Sequence, residues 1–345
     1  MTVLNVLLPL LACLVSLAFA ALVLEQWWRR RHSFQLVWGA GLTWYAVSSG
    51  AQFAGAALGW NADLYRAWYL FGAIYVAAYL GMGTVYLLSR TGFGYVAGVA
   101  IVAGGLFAPL SQLALIEQGH PTAWSNVLLV IGIAAAAGLA VIAATAWRRD
   151  LAAHLAMAVL GAASLVVAGL VLTATIAAPG YALDPVTHAP VGTAVPGHLR
   201  ILTGPFNIAG ALCLVLGGLF SAYVYMPKRK VLRGGVRTPV LGQLHRALVV
   251  TVNLVASLPL AARALLTGRL SSRVPATLLI ALGGFVPSLT GGLNRFGVTW
   301  AFALGELLGV VLIFAGFLVS EEVFRRLPFG LGGEWAARRA AAGPG

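Results

Sequence analysis

Long apolar runs, broken by short charged or turn-forming segments, organise this chain. Runs near 3–24, 34–58, 64–88, 94–115, 125–147, 151–177 and 200–226 each approach or exceed about twenty residues, the length that carries a helix across a bilayer. The basic stretch PKRKVLRGGVRTPV at 227–240, bounded by Pro227 and Pro239, then interrupts the pattern. Beyond it, Gln243, Arg246, Asn253 and Ser257 fall on one helical stripe, with Leu244, Leu248, Val252 and Val255 opposite. That arrangement suits a helix lying in the membrane interface. Two further spans follow near 274–292 and 298–319, joined by TGGLNRFG, whose Gly291, Gly292 and Gly297 permit a tight reversal. Gly283, Gly284 and Pro287 interrupt the first of these, so it reads either as a full span or as a broken, re-entrant helix.

The expected fold is therefore all-α, a polytopic membrane helix bundle with seven transmembrane helices, an interfacial helix and two further C-terminal membrane helices. The expected divisions are a seven-transmembrane domain at 1–226, a basic cytoplasmic linker at 227–240, an interfacial amphipathic helix at 241–272, a two-helix membrane module at 273–319 and a cytoplasmic tail at 320–345. No internal repeat or inverted symmetry is evident.

Charge supplies the orientation. Only 9% of the 345 residues are charged, 60% are hydrophobic, and the formal net charge is +13. The basic residues are not gathered on a polar domain, as nucleic-acid binding would require, but sit in clusters between apolar runs. Arg29 to Arg31, Arg90, Arg148 with Arg149, and Lys228 to Arg237 fall on alternate connections, whereas the opposite ones carry Arg66, Arg200 and, after the linker, Arg295. Lys and Arg are retained on the cytoplasmic side, so the expected topology places the N-terminus outside and the C-terminus inside a cytoplasmic membrane. Trp27, Trp28, Trp60, Trp124 and Trp147 stand at span ends, where an amphipathic ring gains from the headgroup layer. Ala18, Phe19 and Ala20 form an A-x-A-like site, but no basic residue precedes the apolar stretch, so residues 3–24 are expected to remain as a span. Cys13 and Cys213 lie inside apolar runs and have neither disulfide nor zinc spacing.

Candidate chemistry is sparse. No P-loop, dinucleotide fingerprint, H-E-x-x-H or G-x-S-x-G is present, and the nine carboxylates stand mostly at span ends, which argues against an enzyme of soluble type. The span 200–226 lacks the lysine that retinal needs. His154, a turn from the cytoplasmic edge, has no partner for haem, and no cofactor is expected. Glu306 is the ionisable residue well inside a span, where a carboxylate must be neutralised, paired or hydrated. It reads as a functional group, or as a carboxyl bonded to a neighbouring helix that approaches at Gly305 and Gly309. Trp68, Tyr75, Tyr79 and Tyr86 recur at helical spacing on the third span, and Trp38, Tyr45, Ser49 and Gln52 on the second. With Thr203 and Asn207 they form either a semi-polar pocket for a small amphipathic ligand, contacted by Tyr45, Ser49, Gln52, Tyr75, Tyr79 and Asn207, or polar glue between helices. Asp184, His188 and His198 share an outside loop, near Glu117 and His120, without any metal spacing; no metal is expected. Lys228, Arg229, Lys230, Arg233 and Arg237 suit anionic lipid headgroups.

The second and third spans read LTWYAVSSGAQFAGA and LYRAWYLFGAIYVAAYLGMGTVYLLSRTG, with a Trp-Tyr pair, a short outside turn and an aromatic-rich helix ending in Arg90. Over residues 1–230 this resembles the seven-transmembrane sensor region at the N-terminus of bacterial membrane histidine kinases. The resemblance implies non-enzymatic sensing of a small molecule or lipid. The chain departs from that family in continuing into membrane helices, a module suited to a membrane-protein partner, instead of a cytoplasmic signalling domain. A transporter using Glu306 and the segment around Gly283 is the competing expectation, and a lipid enzyme using Asp184, His188 and His198 the third.

Overall fold

The computed structural model describes residues 3–177, 183–184, 190–232, 239–267, 269–295 and 301–319. Within them the chain is an all-α polytopic membrane helix bundle. Ten long helices follow one another: α1 (Val3–Arg30), α2 (Ser33–Leu58), α3 (Ala62–Leu87), α4 (Gly94–Glu117), α5 (Trp124–Trp147), α6 (Arg149–Thr173), α7 (Gly197–Tyr225), α8 (Pro239–Leu266), α9 (Arg273–Arg295) and α10 (Phe302–Val319). Strand pairing among the described residues is limited to an isolated bridge between Leu183 and Pro190. Among the described residues, nine helical segments are long and apolar enough to cross a membrane. They include Leu248–Leu266 of α8, read from sequence as interfacial, whereas α2 is too polar to be among them.

Contacts divide the chain into two units. The first comprises Met1–Gly217 with Gly283–Val311, and the second Gly218–Leu282 with the residues from Leu312. In the first, α2 packs against α1 and α3 and has polar residues inside, with Gln35, Ser48, Ser49 and Gln52 all buried. Glycine lets the backbones approach. A methyl on Gly210 of α7 would lie 2.5 Å from the Ala78 amide nitrogen of α3, and one on Gly81 would lie 2.6 Å from the Gly210 Cα. Likewise Gly98 of α4 and Gly138 of α5 face each other's carbonyls. Small residues at crossings are how membrane helices associate, since lipid gives apolar side chains no reason to prefer protein.

Two helices depart from the α register. α3 is π-helical over Trp68–Val76 and α7 over Gly204–Ile208, where Pro205 has no N–H to give. Wider turns leave carbonyls to be met from outside. Ser48 Oγ donates to Trp68 O at 3.2 Å, and Asn207 Nδ2 to Ala73 O at 3.4 Å. The π stretch also corrects the sequence reading of one aromatic face on α3. Seven residues no longer make two turns, so Trp68 points toward Trp60 and Phe302, while Tyr75 points toward Trp44.

α9 runs unbroken through Gly283, Gly284 and Pro287, so the helix is not broken at these residues. Pro287 cannot donate to the Gly283 carbonyl. Gly309 of α10 packs there instead, where an added methyl would lie 3.0 Å from that oxygen and 2.7 Å from the proline ring.

In the second unit, Asn253 and Ser257 of α8 are turned inward and do not face headgroups. Asn253 Oδ1 accepts the Val231 and Leu232 N–H groups at 2.8 and 3.0 Å, its Nδ2 donates to Leu232 O at 2.9 Å, and Ser257 Oγ accepts the Arg229 N–H at 2.9 Å. Asn253 and Ser257 thus satisfy backbone groups of the segment after α7. Ala222, Met226, Ala261 and Val274 pack beside it, and Leu248, Val255, Leu258 and Leu266 remain exposed.

Candidate functional site

α2 carries a buried polar face in the first unit. Tyr45, Ser49 and Gln52 stand four and three residues apart, so they share a helix face, and all three are buried. Tyr45 Oη donates to the backbone carbonyl of Glu306 at 2.6 Å, which joins α2 to α10. One turn further along α2, Ser48 bonds to Trp68 O, and the Trp68 ring meets Phe302 edge-on at 6.3 Å. Moving up α2 from Tyr45 therefore corresponds to moving back along α10 from Glu306 to Phe302, and the two helices run antiparallel past the start of the α3 π stretch.

Three oxygens on this seam have no hydrogen-bond partner among the described residues: Ser49 Oγ, Gln52 Oε1 and Glu306 Oε2. Ser49 is 1% and Gln52 4% exposed, so water from outside does not serve them. Native interiors pair nearly all such groups, and each one left unpaired costs about 1–3 kcal/mol. Three of them lie along this seam. Its walls are aromatic. Trp60 lies over Gly55, one turn beyond Gln52, where a methyl would come within 2.8 Å of the indole, and the Trp60 and Trp68 rings are 6.2 Å apart.

Glu306 owes its direction to its neighbours on α10. Gly305 and Gly309 form the face against Thr290 and Pro287 of α9, as the small-residue spacing anticipates, and Glu306 sits one residue round, toward α2.

The remaining candidates lie elsewhere. Tyr75 Oη donates to Ser164 O, and Tyr79 Oη to Ser164 Oγ at 3.3 Å, so both tie α3 to α6. Trp44 stacks on Phe71 at 4.9 Å and meets Tyr75 and Tyr79. Together with the Asn207 bond to Ala73 O, these contacts act as glue; of the six candidate ligand contacts, Tyr45, Ser49 and Gln52 lie on α2, Tyr75 and Tyr79 on α3 and Asn207 on α7. Thr203 donates to Arg200 O. His154 bonds to Asp150 O and meets Tyr86 edge-on.

No protein-family model, curated protein or solved structure matches this chain. The site is therefore read from its own chemistry. Among the described residues no three His, Cys, Asp or Glu side chains gather as a metal site, and His188 lies outside those residues. Lys228, Arg229 and Lys230 are exposed, with Lys228 over the Tyr223 ring at 5.5 Å, while Arg233 and Arg237 lie outside the described residues.

Sequence reasoning missed the aromatic wall. Trp60 reads as an interface anchor, and nothing in the sequence marks Phe302 as anything but lipid-facing.

Proposed function

We propose that this protein binds a small molecule within the bilayer, in the seam between α2 and α10, without transforming it. The observation that carries the reading is the row of unpartnered buried oxygens on Ser49, Gln52 and Glu306. Tyr45 holds the two helices in register, and Trp60, Trp68 and Phe302 supply apolar walls. Apolar walls with a few convergent polar groups are the usual make-up of a ligand site. In the orientation that the basic residues favour, with the N-terminus outside a cytoplasmic membrane, the Gln52 end of the seam lies in the outer half. A molecule from outside would then be sensed through α10. In this reading the second unit presents Lys228, Arg229 and Lys230 to anionic lipid and its exposed leucines to a membrane-protein partner.

The test is extraction of the purified protein followed by mass spectrometry of what it carries. A small molecule enriched with the wild type and lost from the Ser49→Ala, Gln52→Leu double variant supports the reading. Identical extracts from a folded double variant remove it.

Glu306 also favours a second reading, transport, because an ionisable residue inside a membrane commonly marks a solute path. Glu306→Gln in a proteoliposome flux assay separates the two, since transport through the seam requires flux that this change abolishes.

A further inference from the structure

Resting on the reading of the seam as a binding site, we infer that its ligand is a small protonated amine with an apolar, aromatic-compatible body. The three unpartnered atoms are a hydroxyl, an amide oxygen and a carboxylate oxygen. All are acceptors. An anionic ligand would leave Gln52 Oε1 and Glu306 Oε2 without donors and would bring negative charge against the carboxylate. A neutral alcohol offers one donor, whereas an ammonium group offers three, together with the charge that a carboxylate in a dry site lacks.

Among the described side chains of the first unit, two arginines are engaged elsewhere. Arg66 is held by Asp63 at 2.9 Å and by the Ala174 carbonyl at 2.8 Å, and Arg200 donates to Gln118 at 2.7 Å. The walls agree with the charge. Trp60, Trp68 and Phe302 line the seam beyond Gln52, and the negative face of an aromatic ring attracts an organic cation. Those walls also suit an organic body better than an inorganic ion, which would need more oxygens than three to replace its water.

The experiment uses the purified full-length protein in detergent with four probes at matched ionic strength: phenethylammonium chloride, 2-phenylethanol, sodium phenylacetate and sodium chloride. Thermal unfolding and titration calorimetry are read for the wild type, Glu306→Gln and a lipid-facing control, Gly132→Ala. The expected result is binding and an upward melting shift with phenethylammonium alone. Loss of the charged hydrogen bond in Glu306→Gln should weaken that binding about tenfold to a hundredfold, with Gly132→Ala unchanged. Equal binding of 2-phenylethanol would overturn the amine and leave the binding reading standing. A shift with sodium chloride as large as with the amine would assign the site to an inorganic cation and overturn it too. Failure of all four probes, or amine binding that survives Glu306→Gln unweakened, would reject the inference. The extraction experiment on Ser49→Ala, Gln52→Leu judges the underlying site separately.

Discussion

Substituting alanine for Gly210 tests the packing that sets the α3 π stretch beside α7. The added methyl would lie 2.5 Å from the Ala78 nitrogen and closer still to the Ala77 carbonyl, distances below the 3.0 Å that real methyl carbons respect. All the atoms it meets belong to backbone, so no side chain can rotate away, and the two helices must part by about half an ångström or more. Overpacking costs about 1–3 kcal/mol, and a clash confined to backbone belongs at the upper end. Alanine returns about 1 kcal/mol of helix propensity, which leaves a net loss of about 2 kcal/mol. Gly132 of α5 is the internal comparison, because nothing stands within 4 Å of a methyl placed there. Gly132→Ala should keep the propensity gain, so the two variants should differ by about 3 kcal/mol. Thermal unfolding of the detergent-purified proteins, followed by circular dichroism, reads the difference. Equal melting of Gly210→Ala and Gly132→Ala would refute the backbone contact and with it the α3–α7 crossing.

Gln52→Leu should raise the stability of the ligand-free protein by about 1 kcal/mol or more, because it removes an unpaired buried amide, and the same change should abolish ligand uptake. A melting temperature that falls instead would mean that Gln52 is already satisfied. Asn253→Ala removes three hydrogen bonds to the backbone of Val231 and Leu232, so trypsin should cut at Lys228, Arg229 and Lys230 several-fold faster than in the wild type, and unchanged cleavage kinetics would contradict the inward-facing stripe on α8. A reporter fused after Pro239 should be active only when cytoplasmic, and extracytoplasmic activity would reverse the proposed orientation.

The spans were legible because lipid imposes a length and an apolar surface on every helix that meets it. α5 follows the expected boundaries to within a residue for that reason. The two π stretches were not legible. A seven-residue spacing reads as two helical turns only while the register holds, and at Trp68–Val76 it does not, so Trp68 and Tyr75 separate. Stripes on α2 and α8 were visible as patterns, but a pattern does not say what the stripe faces. On α8, Asn253 and Ser257 face a neighbouring backbone; on α2, Ser49 and Gln52 face a seam. Glu306 stood out by its charge alone, yet its meeting with Tyr45 joins residues 261 positions apart, and no local rule reaches that far.

The polarity of α2 ties these observations together. A helix with Gln35, Ser48, Ser49 and Gln52 on its surface crosses a bilayer only if other helices shelter it, and α1, α3 and Glu306's turn of α10 do so. Shelter alone would be met equally well by leucine. Polar residues that pair, such as Ser48 with the Trp68 carbonyl, strengthen the crossing they sit in, so their retention explains itself. Ser49 Oγ and Gln52 Oε1 have no partner among the described residues, and as placed they weaken the bundle that surrounds them. The same holds for Glu306 Oε2 on the facing helix. In the proposed reading, a ligand supplies the donors that these groups on two helices lack.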